Sequence, residues 1–285
     1  MTRRLTDHSV LTFDCYGTLI DWEAGIWDAF QPLLRENPAI GLTRNTLIAA
    51  FNNLEAEQQV ATPTMAYPTV LECVHRALAE DLELVTTPIL DYAFGASVPS
   101  WPAFPDSTEA LRFLSEHFGL VILSNVDRAG FAASSALLGV EFDAIYTAED
   151  IGSYKPDLSN FEYLIKHVES DLGHGKSDIL HTAQGVRHDH IPARSIGLDN
   201  AWIDRNRLSE TATPDLPATD YLFFSLAEMA AAVAVESTSG QVDEPPGEWD
   251  PHRRATARAV AGSEGGSRAP VCNRTIDARY GGNGP

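Results

Sequence analysis

The second half of the sequence alternates short apolar runs with segments of helical periodicity. This pattern predicts strands at residues 120–123, 144–147, 178–181, 201–203 and 221–224, and helices at 129–138, 160–167 and 191–196. Strands joined by single helices pair in parallel, because each helix returns the chain to the end of the sheet at which the previous strand began. We therefore predict an α/β fold with a doubly wound parallel sheet.

One more strand is predicted near the N-terminus, and a helical segment follows it. Residues 9–13 form an apolar run that ends at Asp14, and Gly17 allows a tight exit from the strand. The apolar residues after this turn recur at helical spacing within the segments 26–34, 47–54 and 70–78. The sheet is therefore predicted to be interrupted by an inserted helical unit.

These patterns divide the chain into three predicted regions. Residues 1–20 and 100–236 form the α/β core, and residues 21–99 form the helical insertion. From residue 237 the composition shifts to Gly, Ser, Pro and Arg, and no regular period continues. Residues 237–285 are predicted to be a disordered tail, since acidic residues are interspersed among its arginines and no aromatic platform for nucleic acid accompanies them.

The charge of the chain limits the classes of partner. Forty acidic against twenty basic residues give a net charge of −20, which repels nucleic acid and anionic membrane surfaces. A small anionic substrate needs a local cation to overcome this field. No apolar segment reaches the roughly 20 residues of a membrane span, and the three cysteines match neither a disulfide framework nor a metal-ligand spacing. We expect a soluble, cytoplasmic protein; the sequence leaves open whether it forms a homodimer.

Polar residues follow the predicted strands at the points where a doubly wound sheet places its ligand site. These residues are Asp14, Ser124, Asn125, Lys155 and Asp189. A carboxylate can attack an electrophilic carbon or phosphorus, and a neighbouring ammonium keeps it ionised. Singly, each residue has a structural explanation as a cap or turn former. Together, in this order, they predict an active site with Asp14 as the nucleophile.

Four motifs in this arrangement resemble those of the haloacid dehalogenase superfamily. They are residues 13–19 (FDCYGTL), 123–125 (LSN), 154–157 (YKPD) and 188–189 (HD), the last of these ahead of Ala193 and Gly197. The resemblance covers residues 11 to about 235. It implies that the core is of the superfamily's Rossmann-like type and that the helical insertion is a cap which closes over the active site.

The details of the motifs favour one branch of the superfamily. Its phosphatases carry a second Asp two positions after the nucleophile and bind Mg²⁺, but here that position is Tyr16, a phenol with a pKa near ~10. The earlier acidic position of the fourth motif is Gln184. Tyr16, followed by Gly17 and Thr18, is similar instead to the type II 2-haloacid dehalogenases, which use no metal or other cofactor.

That resemblance implies a reaction and a role for each residue. Asp14 displaces halide from carbon 2 of a small carboxylic acid, and water hydrolyses the resulting ester to a 2-hydroxy acid. Thr18 is expected near Asp14, and Asp189 near the hydrolytic water. The residues expected to contact the substrate or the leaving halide are Tyr16, Ser124, Lys155 and Asn125.

Several positions depart from the family pattern. The cap arginine that helps accept the halide aligns with Asn52, a tyrosine after the third motif is Phe161, and the small polar residues of the fourth motif are Gln184 and Val186. Loss of a charged donor costs about 3 kcal/mol of transition-state stabilisation. A phosphatase and a non-catalytic carboxylate-binding protein therefore remain alternatives to the dehalogenase.

Other polar and aromatic residues have two interpretations each. Arg187 is either a clamp for the substrate carboxylate or an exposed residue at a helix start. The histidines around Asp189 either bind a metal or tune Asp189 and Lys155; we favour the second, so that no metal site is predicted. Tyr67, Trp22 and Trp27 either line an apolar site under the cap or belong to the core.

Overall fold

The computed structural model describes residues 3–38, 40–211 and 218–240. Its centre is a sheet of six strands, all parallel, in the order β3-β2-β1-β4-β5-β6. The strands are β1 (Val10–Phe13), β2 (Gly119–Ser124), β3 (Ala144–Thr147), β4 (Ile179–Ala183), β5 (Asp199–Ile203) and β6 (Tyr221–Phe223). The predicted fold class is confirmed, and each predicted strand lies within two residues of an observed one.

The strand order places β1 at the centre, where the direction of winding reverses. From β1 the chain crosses to β2 and β3 on one side and then to β4, β5 and β6 on the other. Every residue of β1 and of β4 is buried, as expected for strands covered on both faces. The carboxyl ends of β1 and β4 therefore flank the switch point, at which doubly wound folds bind ligands.

Ten α-helices surround this sheet in the described residues. They are α1 (Trp22–Glu36), α2 (Arg44–Ala61), α3 (Tyr67–Asp81), α4 (Pro88–Gly95), α5 (Ser107–Leu114), α6 (Arg128–Leu138), α7 (Ala148–Ile151), α8 (Leu158–Leu172), α9 (Ile191–Ser195) and α10 (Leu226–Gly240). The sequence pattern missed α4, α7 and α10. A π-helical turn, Val186–His190, precedes α9.

Helices α1 to α4 form the insertion between β1 and β2. Side-chain caps mark the starts of α1 and α2, since Asp21 accepts from the backbone of Ala24 and Thr43 accepts from that of Thr46. The buried apolar residues of α1 to α4 belong to the same continuous core cluster as residues of β1 and β2. The boundaries of a separate cap domain at 21–99 stay a prediction.

A close contact ties α1 to the return segment that follows the insertion. A Cβ atom on Gly25 would lie 2.2 Å from Cγ of Trp101, so only glycine lets the helix approach this indole. The Trp101 side chain is fully buried, and its ring stands edge-on to that of Tyr16 at a centroid distance of 5.4 Å. The packing of α1 is thereby connected to the loop after β1.

The C-terminal helix α10 extends past the predicted end of the core. Residues 237–240 are helical, so the first four residues of the predicted tail are not disordered. The remainder of that prediction, residues 241–285, lies outside the described residues. Of the helices that the structure describes, none combines the length and apolarity needed to cross a membrane.

Candidate active site

Asp14 occupies the first position after β1, at the switch point of the sheet. Its backbone N–H donates to the carbonyl of Thr182 in β4 at 3.1 Å, so the sheet ladder holds it in place. The loop then turns at Gly17, whose φ of +98° lies in the region that favours glycine. This turn brings Thr18 back to Asp14, and its hydroxyl donates to Oδ2 of Asp14 at 2.7 Å.

The ammonium of Lys155 lies between two carboxylates. Lys155 Nζ is 2.9 Å from Oδ1 of Asp14, 2.6 Å from Oδ1 of Asp189 and 3.0 Å from the carbonyl oxygen of Leu123. The side chain is 1 % exposed, so its three donors have three protein acceptors and little contact with water. Residues that follow β1, β3 and β4 thus meet at one cation.

Asp189 is held from a second direction by a buried histidine. Its Oδ1 lies 3.1 Å from Nε2 of His181, and Nδ1 of His181 lies 2.9 Å from the hydroxyl of Thr12. An ionised carboxylate only accepts, so Nε2 of His181 carries the proton of its hydrogen bond with Asp189. Gly185 permits this geometry, because a Cβ atom there would lie 2.6 Å from Oδ2 of Asp189.

Burial and charge affect the two carboxylates differently. Burial raises the pKa of Asp14, and the charge of Asp189 raises it further, although Lys155 and Thr18 oppose both. Burial also acts to raise the pKa of Asp189, but Lys155 and His181 outweigh it and the net shift is downward. Burial lowers the pKa of Lys155, and the two carboxylates more than reverse this. On acidification Asp14 therefore takes up a proton before Asp189 does.

Asn125 fixes the loop that carries Lys155. Its Oδ1 accepts from the backbone N–H of Lys155 at 2.7 Å, and its Nδ2 donates to the carbonyl of the same residue at 3.1 Å. Ser124 is buried beside it, and its hydroxyl oxygen lies 3.5 Å from the backbone nitrogen of Val126, at the limit of a hydrogen bond. Both residues lie at the carboxyl end of β2, as the sequence predicts.

The remaining predicted substrate-binding residues lie in different surroundings. The hydroxyl of Tyr16 forms a hydrogen bond of 2.8 Å with that of Ser134, and burial raises the pKa of Tyr16. Asn52 on α2 and Arg187 in the π-helical turn have exposed side chains. The structure brings Asp14, Thr18, Lys155 and Asp189 together, but it does not bring Asn52 or Arg187 into contact with them; the binding roles of those two stay predictions.

Two residues hold Thr18: Gln184, which the sequence analysis named only as a departure in the fourth motif, and Arg205, which it did not name. The backbone N–H of Gln184 donates to Oγ1 of Thr18 at 2.9 Å, and Nε of Arg205 donates to the carbonyl of Thr18 at 2.8 Å. Arg205 also pairs with Asp106 at 3.0 Å and stacks on the ring of Phe104 at 3.8 Å. Both donors follow strands, β4 and β5, so a stricter use of the strand-end rule would have found them.

The oxygen donors of the site do not fit a divalent cation. Only Asp14 and Asp189 supply carboxylates, and both are bonded to the same ammonium. Tyr16 and Gln184 occupy the two positions at which further acidic ligands would strengthen a hard-metal site. Within the described residues, no group of three or more His, Cys, Asp or Glu side chains is arranged to hold a metal ion.

Solved structures share this fold over most of their length. An L-2-haloacid dehalogenase from Xanthobacter autotrophicus is 19% identical, covers 80% of this chain and 98% of its own, and has a TM-score of 0.64. A second L-2-haloacid dehalogenase, PA0810, is 21% identical, with coverages of 79% and 99% and a TM-score of 0.65. At these identities the likeness shows a common fold.

A further solved structure with this fold contains magnesium. YfnB of Bacillus subtilis, classed provisionally as a haloacid dehalogenase-type hydrolase and solved with bound magnesium, is 20% identical. It covers 81% of this chain and 100% of its own, with a TM-score of 0.64.

No curated protein sequence matches the chain significantly. The model of the haloacid dehalogenase-like hydrolase family matches residues 8–181, which is more than half of the chain. The chain, with Asp14, Lys155 and Asp189 at one edge of its parallel sheet, belongs to the haloacid dehalogenase-like hydrolases.

Proposed function

We propose that the protein hydrolyses 2-haloalkanoic acids through an ester on Asp14. An oxygen of Asp14 attacks carbon 2 of the substrate, and the carbon–halogen bond breaks as halide leaves with the bonding electrons. Water then attacks the carbonyl carbon of the Asp14 ester. The ester bond breaks, the 2-hydroxy acid leaves, and a proton is released as the carboxylate of Asp14 is restored.

The observation that carries this proposal is the Lys155 ammonium shared by Asp14 and Asp189, with Thr18 on the other oxygen of the nucleophile. A buried carboxylate so held is fixed in one orientation, and each oxygen keeps a lone pair for the attack. Asp189, on the far side of Lys155, is the carboxylate that shares this ammonium with Asp14. We assign to it the orientation of the hydrolytic water.

The choice of a carbon–halogen bond over a phosphate ester rests on two further points. Solved neighbours named as L-2-haloacid dehalogenases share the fold. The site also lacks the donor set for a divalent cation, whereas a dianionic phosphoryl group needs strong positive charge to offset two carboxylates. Lys155, the buried ammonium in contact with Asp14, is already shared with Asp189.

A single turnover in ¹⁸O-water tests the proposal. With 2-chloropropionate and an excess of enzyme, we expect one ¹⁸O atom in the carboxylate of Asp14, found by mass spectrometry of the peptide that contains it. Halide release should be insensitive to a chelator and lost in D14N. The matched control is D28N, an exposed position on α1 that should retain full activity.

Two outcomes would replace the proposal. Magnesium-dependent release of phosphate from a simple monoester, without halide release, would make the protein a phosphatase that uses the same nucleophile. Saturable binding of 2-chloropropionate with no product and no label over many hours would make it a carboxylate-binding protein that has kept the fold without turnover.

A further inference from the structure

A carboxylate and a phenol from the helical insertion form a close pair. The hydroxyl of Tyr67, at the start of α3, donates to Oε1 of Glu55 on α2 at 2.6 Å. Glu55 is partly buried and Tyr67 is buried. Glu55 lies one turn after the fully buried Phe51, on the face that α2 turns toward the core, whereas Asn52 is exposed.

This pair lies next to the loops that carry the candidate active site. The residue before Lys155 is Tyr154, whose hydroxyl donates to the backbone carbonyl of Met65 at 2.5 Å, two residues before Tyr67. Besides burial and Glu55, the charges of Tyr154 and Tyr16 raise the pKa of Tyr67. The hydrogen bond from Tyr154 therefore joins the segment just before Tyr67 to the loop that carries Lys155.

Glu55 has no cation to balance it. Burial raises its pKa to about 7, and the hydrogen bond from Tyr67 acts in the opposite direction; in the described part of the chain no positive group contributes to the shift. The ammonium of Lys155 is itself bonded to two carboxylates. In its ionised form Glu55 therefore adds a negative charge to this side of the protein without a cation of its own.

The charge of Glu55, which no cation balances in the described residues, bears on which substrate side chains can lie next to it. A second acidic group on the substrate is repelled by Glu55. An alkyl group gives the second oxygen of the Glu55 carboxylate no hydrogen-bond partner and shields it from water. A hydrogen-bond donor relieves both costs, and a positively charged one does so best. Tyr67 occupies one oxygen of Glu55, so the other oxygen is left to accept.

We propose that Glu55, oriented by Tyr67, selects 2-haloacids whose side chain carries a hydrogen-bond donor, an ammonium group above all. This inference rests on the proposed dehalogenation for the reacting end of the substrate. It assigns to the helical insertion the recognition of the other end. Glu55 is thus a specificity-determining residue, and the step at Asp14 is unchanged.

The test compares two substrates of nearly equal shape. In 2-chloro-3-aminopropionate an ammonium group replaces the terminal methyl of 2-chlorobutyrate. We expect wild-type kcat/KM to favour the amino compound about tenfold or more, since the alkyl compound leaves a buried acceptor unpaired. In E55Q, which keeps an acceptor for Tyr67 but loses the charge, the preference should fall to about twofold.

The control variant is E57Q, at an exposed position on the same helix, and it should keep the wild-type preference. The proposal is overturned if the wild-type protein turns over both compounds equally well. It is equally overturned if the preference survives in E55Q. A twofold change in E57Q of the same sign as in E55Q would show a general effect of helix charge and would also overturn it.

A binding experiment separates failure of this inference from failure of the proposed function. The corresponding hydroxy acids, 3-amino-2-hydroxypropionate and 2-hydroxybutyrate, need no chemistry and can be titrated calorimetrically into the wild-type protein and E55Q. Preferential binding of the amino compound that E55Q abolishes, without halide release from any chloro acid, supports the selectivity and refutes the dehalogenation. Halide release without any discrimination refutes the selectivity alone, and absence of both refutes both.

Discussion

Lys155 Nζ lies 0.3 Å closer to Asp189 than to Asp14, at 2.6 Å against 2.9 Å. Asp189, which follows β4, thus holds the ammonium of Lys155, and Asp14, which follows β1, depends on the same ammonium for its stabilisation. With His181 added on its other side, Asp189 is the better stabilised of the two anions. Asp14 is consequently the carboxylate whose pKa is raised, by burial and by the charge of Asp189.

Replacement of Asp189 by Asn should move the acid limb of the activity profile to lower pH. The charge of Asp189 is one of the causes that raise the pKa of Asp14, so its removal lets Asp14 ionise more readily. The same change should lower kcat/KM about a hundredfold, because the water loses its orienting carboxylate. The pH dependence of residual halide release measures both effects.

D28N serves as the control for this profile, since it removes one exposed carboxylate and touches no site residue. An acid limb in D189N that stays at the wild-type position would show that Asp14 is insensitive to Asp189. A limb that moves to higher pH would contradict the pairing directly.

Replacement of Lys155 by Met should destabilise the fold. The change leaves two buried carboxylates with no cation, and removal of one partner from a buried ion pair costs about 3–5 kcal/mol. We expect a lower free energy of unfolding in urea at pH 7, and partial recovery in the double variant K155M/D189N, which removes one of the stranded charges. The control variant is K166M, on the exposed face of α8, which should unfold like the wild type. Equal stability of K155M and K166M would rule out a stabilising role for the ion pairs of Lys155 with Asp14 and Asp189.

Much of the site could be predicted because parallel strands end at a common edge. Asp14, Asn125, Lys155 and Asp189 each follow a strand, and short apolar runs locate strands well even without an alignment. The parallel pairing and the presence of an inserted helical unit followed from the same sequence pattern, whereas the order of the strands was not predicted and the role of the insertion as a cap rests on the family resemblance. His181 is different, since it lies within β4 and nothing in a strand pattern tells which neighbour its ring meets.

The residues of the insertion were harder to place from sequence. Alignment to the family pattern pointed to Asn52, but the face of α2 turned toward the core is fixed by Phe51 and Leu54, and Glu55 shares that face. Gly25 likewise gave no signal, because its importance comes from Trp101, 76 positions further along the chain. Tertiary contacts of this kind have no period that a single sequence displays.

Replacement of Gly25 by Ala should therefore be costly. The new methyl would lie 2.2 Å from the Trp101 ring, and forced overpacking costs about 1–3 kcal/mol, more than the roughly 1 kcal/mol that alanine gains over glycine in a helix. Thermal unfolding measures the loss. G41A is the matched control, because a Cβ atom there meets nothing within 4 Å; the double variant G25A/W101L should recover part of the stability.

Glu55 should make the stability of the protein depend on pH between its unfolded and folded pKa values. The folded value, about 7, lies above the ordinary 4.5, so the folded state holds the proton more tightly. The stability that this proton contributes is fully present below about pH 4.5, and it is lost as pH rises through about 7.

E55Q has no such proton and lacks this contribution at every pH. Between pH 5.5 and 8.5, we expect the wild-type free energy of unfolding to fall relative to that of E55Q by on the order of 1–2 kcal/mol, from urea unfolding at matched salt. Burial also raises the pKa of Asp14, but that contribution is common to both proteins and cancels in the difference. Parallel pH curves for wild type and E55Q would mean that Glu55 ionises as it does in water, and that the carboxylate beside Tyr67 is well solvated. A wild-type curve that falls away from E57Q but runs parallel to that of E55Q would instead place the titrating proton on Glu57, the exposed carboxylate.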